Sequence, residues 1–95
     1  MPYIKKEKRN ELDNLIDILT CHMVVKGDYN YVITKILHNY IEDTELCYDN
    51  LNDAQGIIEC VGKEFYRTVV APYEDKKKKE NGAISDLDKE NKNED

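Results

Sequence analysis

Apolar positions recur with a helical period in three stretches of the chain. In residues 5–25, Leu12, Leu15, Ile16, Leu19 and Met23 fall at i, i+3, i+4, i+7 and i+11, one face of a helix with 3.6 residues per turn. Asn10, with Asp13 three residues on, offers an internal start signal. Gly27 is the expected stop, with Asp28 or Asn30 capping the next segment. A second helix is predicted over residues 29–41, with Tyr29, Ile33, Ile36, Leu37, Tyr40 and Ile41 on its apolar face. Val32, Ile33 and Thr34 would also suit a strand, but the repeat does not have a period of two. The third stretch is the most continuous: Leu51, Ala54, Ile58, Val61, Phe65 and Val69 form one stripe behind a cap at Asp49 or Asn50. Ile57 and Cys60 widen it, which predicts the most buried helix, with Phe65 as a core anchor. Pro72 removes a backbone donor and is expected to end or kink this helix near Ala71, with further turns over residues 73–79 and Gly82 as a stop.

This pattern predicts a small all-α, three-helix domain with a proline-kinked third helix. Residues 1–4 form an apolar lead-in, 5–79 the helical domain and 80–95 a disordered charged tail. Past Gly82 only Ala83, Ile84 and Leu87 are apolar, too little to offset the entropy of ordering. Gly56 and Gly62 each cost about 1 kcal/mol relative to Ala inside a helix, a cost that close approach of another backbone would justify. A chain of 95 residues builds a marginal core, for which self-association is a common remedy. Tyr31 and Val32 lie outside the apolar face of the second helix, and Ile57 and Cys60 outside that of the third. With Gly56 and Gly62 they are the expected interface of a homo-oligomer, most simply a two-fold dimer. The seven tyrosines suit such an interface, because each offers apolar area with a polar tip.

Charge changes the picture little. The net charge of −6 combines 20 acidic with 14 basic residues. The segment 80–95 alone holds six acidic residues against two lysines, so the remainder is nearly neutral. General nucleic-acid binding is disfavoured. No apolar run could span a membrane and no apolar block marks a signal peptide, so a cytoplasmic location is expected. Cys21, Cys47 and Cys60 have no disulfide-framework spacing and read as reduced thiols that pack as small apolar groups.

The chemistry-bearing residues are sparse. Cys21, His22, His38, Cys47 and Cys60 lack the paired spacing that puts two ligands on one cation, so no metal site or cofactor is expected. Helical pyrophosphohydrolases hold magnesium with acidic pairs spaced three apart. Glu42 and Glu45 have that spacing, but Asp53, Glu59 and Glu64 supply no second pair. There is no phosphate loop, and the only serine, Ser85, lies in the tail, so no catalytic residue is assigned and no enzyme is expected. Lys63, Tyr66 and Arg67, at i, i+3 and i+4, share one side of the third helix, and Tyr73 would join them seven residues after Tyr66. Cations beside aromatic rings are what a phosphate- and base-bearing ligand needs, although a solvated face accounts for them as well.

Several segments together resemble a family of short bacteriophage and prophage proteins of unknown function. They are Met1-Pro2-Tyr3-Ile4, Asn30-Tyr31-Val32-Ile33-Thr34, Ile58-Glu59-Cys60, Glu64-Phe65-Tyr66-Arg67 and Ala71-Pro72-Tyr73-Glu74-Asp75, with Glu80-Asn81-Gly82 as the usual end. The chain departs from that pattern at Gly62, Lys63 and Thr68, where the family tends to have lysine, an apolar residue and a second arginine. The resemblance implies a small non-enzymatic protein that acts stoichiometrically on a host protein. The alternative is sequestration of a nucleotide or cyclic-oligonucleotide signal, since the end of the third helix is similar to helical phage sponges. A metal-dependent nucleotide hydrolase is the third reading.

Overall fold

In the computed structural model, which describes residues 2–89, the chain is all-helical. Helix α1 spans Lys6–Thr20, α2 Lys26–Asp43 and α3 Tyr48–Phe65. A π-helical turn, Tyr66–Val70, joins α3 directly to α4, Ala71–Asn81, and a 3₁₀ turn follows at Asp86–Asp88. There are thus three helical stretches, the third made of α3, the π turn and α4. The chain divides into two compact units, residues 1–61 and 62–95. Residue 1 of the expected lead-in and residues 90–95 of the expected tail lie outside the described residues.

One boundary differs from the sequence reading. Gly27 does not stop α1, which ends at Thr20; Gly27 sits in the first turn of α2. The reason is Asp28, whose carboxylate reaches back to accept the backbone N–H groups of Val24 at 2.9 Å and Val25 at 3.2 Å. That cap fixes the helix start one residue before the glycine. At Pro72 the third stretch runs on, with the further turns expected beyond the proline. Ala71 N–H donates to the Tyr66 carbonyl, five residues back, and this wider turn precedes the proline, whose missing donor and bulky ring would disrupt a regular α-turn.

The apolar stripes are where the periodicity put them, but each chain leaves them largely uncovered. Among the described residues only Ala54 is buried. Ile58, Leu37 and Ile41 are half-buried. Phe65, the expected core anchor, is 58% exposed, and Leu15 on α1 is 60% exposed. Within residues 1–61, no two of α1, α2 and α3 bring their backbones together. Periodicity identifies the face of a helix that wants cover; it does not say which chain supplies the cover.

Candidate functional site

Two places can carry function, one in each unit. In residues 1–61, α2 and the start of α3 flank an open groove of about 720 Å³. Thr34, Leu37, His38 and Ile41 line it from α2, and Leu51, Ala54, Gln55 and Ile58 from α3. Glu42 and Leu46 close one end. Both sets follow the i, i+3, i+4, i+7 spacing, so each wall is one two-turn helical stripe. The wall is apolar at Leu37, Ile41, Leu51 and Ile58, and polar at Thr34, His38, Glu42 and Gln55. Asn50 Nδ2 donates to the Glu45 carbonyl at 2.9 Å, which ties the α2–α3 connection to the first turn of α3.

The second place is the cation and tyrosine group of residues 62–95. Arg67 pairs with Glu64 one turn earlier, and the Tyr66 hydroxyl donates to Glu74 Oε1 at 2.7 Å. That hydrogen bond, first among the causes, and the charge of Glu74 raise the Tyr66 phenol above its ordinary range. Lys77 Nζ lies 5.7 Å from the ring centre of Tyr73. Lys63 is exposed. Tyr73 does not take the position expected for it. The π turn inserts a residue into the helical count, so Glu74, not Tyr73, meets Tyr66. Sequence reasoning missed the two carboxylates that engage this group. Their signal was the spacing of Glu64 from Arg67, three residues, and the helix-breaking demand of Pro72.

Among the expected interface residues, Val32 is half-buried, whereas Tyr31, Ile57 and Cys60 are exposed. No atom lies within 4 Å of the position a Cβ would take on Gly56 or Gly62. No backbone of the same chain therefore explains these glycines. All three cysteines are free thiols. Among the described residues no three His, Cys, Asp or Glu side chains gather where they could hold one metal ion, and no helix is long and apolar enough to cross a membrane.

The sequence profile of the family described as Domain of unknown function (DUF6899) matches residues 1–84. No curated protein matches the chain, and no solved structure matches it either.

Proposed function

The chain belongs to the DUF6899 family of domains of unknown function, and from the faces it leaves uncovered we propose that it is a phage-type, non-enzymatic binding protein that acts stoichiometrically on a host protein. The observation that carries this reading is that, among the described residues, only Ala54 is buried, set among helices whose apolar stripes face outward. Large apolar faces of this kind are covered by other polypeptide. Some of that cover is a further copy of the chain, so the working unit is a homo-oligomer, and the rest remains for a partner. Three unpaired thiols suit the reducing cytoplasm of a bacterial cell. A nucleotide or cyclic oligonucleotide held by Lys63, Tyr66, Arg67 and Tyr73 has less support. Its phosphates would have to displace Glu64 from Arg67 and Glu74 from Tyr66.

The test is native mass spectrometry on tagged protein purified from bacterial cells, together with thermal scans against a panel of nucleotides and cyclic dinucleotides. The expected result is a complex of whole-number stoichiometry with one host polypeptide, which re-forms from its separated components, and a melting temperature that no nucleotide moves. A saturable rise in melting temperature with a nucleotide, and no host polypeptide, overturns the reading in favour of nucleotide sequestration.

A further inference from the structure

We infer that the groove between α2 and α3 is filled by α1 of a second copy of this chain, and that the exchange is reciprocal across a two-fold axis. The first argument is shape. Leu12, Leu15, Ile16 and Leu19 on α1 have the same i, i+3, i+4, i+7 spacing as each wall of the groove. Three stripes of equal length, each two turns or roughly 10 Å, are the parts of one three-helix core. The groove lies open between α2 and α3, and no two of the three helices bring their backbones together.

Charge supplies the second argument and sets the direction. Residues 5–9, at the start of α1, hold four cations and one carboxylate. Residues 42–53, around the end of the groove closed by Glu42 and Leu46, hold five carboxylates and no cation. Each cluster opposes the dipole of its own helix: cations stand at the α1 N-terminus, and Glu42 and Asp43 at the α2 C-terminus. Among the described residues, Lys5, Lys6, Glu42, Asp43 and Glu45 form no ion pair within the chain. Laying α1 in the groove with its N-terminus at the Glu42 end brings the two clusters together.

The connection between α1 and α2 decides which copy of α1 enters. All five backbone N–H groups of residues 21–25 are hydrogen-bonded locally. Cys21, His22 and Met23 donate to the carbonyls of Asp17, Leu19 and Thr20, and Val24 and Val25 donate to Asp28. This turn is a built joint rather than a slack hinge, and as built it keeps α1 off its own groove. A second chain must supply the helix. Because that chain presents the same groove, each copy fills the other, which is an isologous contact that closes at two.

The inference rests on the self-association in the proposed function, and a charge swap separates the two. One variant carries Lys5→Glu and Lys6→Glu, which leaves the Lys8–Glu11 pair intact; the other carries Glu42→Lys, Asp43→Lys and Glu45→Lys. Both reversals agree with the dipole of the helix they alter, so neither harms its own helix, and circular dichroism checks that helicity is kept. Light scattering behind size-exclusion chromatography should find each variant alone dissociating at roughly tenfold higher concentration than wild type, with the equimolar mixture restored to near the wild-type value. If mixing restores nothing, while both reversals on one chain recover the wild-type melting temperature as a monomer, α1 folds onto its own groove and the inference falls. Self-association indifferent to both reversals also overturns it and leaves the oligomer intact. A wild-type monomer at all concentrations removes both.

Discussion

The Tyr66 hydroxyl donates to Glu74 Oε1 at 2.7 Å from eight residues away, a spacing that a regular α-helix does not align. On an α-helix a residue meets the one seven positions on; the π turn Tyr66–Val70 adds one, so the partner becomes the eighth. The bond thus records on the surface what Pro72 requires of the backbone beneath it. It spans the turn, one partner on each side.

The pair gives a titration to check. The folded phenol is raised above the ordinary tyrosine value of about 10, so its contribution is complete below that pH and is lost as pH climbs through the raised value. Absorbance titration at alkaline pH, with Tyr66→Phe subtracted to isolate one of seven tyrosines, should find Tyr66 ionising late. Glu74→Gln should bring it back toward the ordinary range. An unchanged Tyr66 in that variant would separate the two residues in solution.

Asp28 makes the opposite prediction at the acid end. Its carboxyl is held below the ordinary carboxylate range, first by the Val24 N–H and then by the Val25 N–H. The cap is therefore complete above pH of about 4 and is lost as pH falls through the depressed value. Amide exchange should show Val24 and Val25 protected at neutral pH, and both should be released by Asp28→Ala while the middle of α2 stays protected. Protection that survives the substitution would mean that packing, not the carboxylate, holds this turn.

Gly56 stands inside α3 with open space where a Cβ would go. Gly56→Ala should raise the stability of the helix by about 1 kcal/mol, visible as a gain in melting temperature of a few degrees. A fall instead would show that a backbone from another chain approaches α3 at this residue, and would give the glycine the interface role its sequence position suggests.

Ending the chain at Gly82 should move the melting temperature by only a few degrees. Ile84 is 96% exposed and Leu87 is 83% exposed, so no apolar side chain of this segment is covered by the rest of the chain. Among the described residues the loss includes the Lys78–Asp88 pair at 3.9 Å, the Lys89–Asp86 pair at 2.7 Å and the short Ser85 turn, surface features of small energy. A large drop on truncation would locate a contact made by this segment in the assembled protein.

The stripes on α1, α2 and α3 were legible because period alone reveals them. The joint at residues 21–25 was not, since its start signal points backward: Asp28 caps from inside the helix, and a glycine standing before it reads as a stop. The turns past Pro72 were legible, but the π turn before it was not, because the ladder shift to i→i+5 leaves no residue signature of its own. In the candidate sites, the grouping of Lys63, Tyr66 and Arg67 followed from helical spacing, but the engagement of Tyr66 by Glu74 depended on that unseen shift. The groove was out of reach altogether. It lies in the open space between the α2 and α3 stripes, and a sequence states apolar faces without stating their neighbours.

With Ala54 the only fully buried side chain among the described residues and the rest half-buried or exposed, unfolding an isolated chain would expose little new surface. The heat-capacity change and the slope of urea denaturation both scale with that surface, so a single chain should melt gradually, as separate helices do. A steep transition measured on this protein is then a reading of surface hidden between chains, and its midpoint climbs as the protein is concentrated. In the proposed homo-oligomer, cooperativity belongs to the assembly, and a melting temperature quoted without a concentration leaves out half of what it measures.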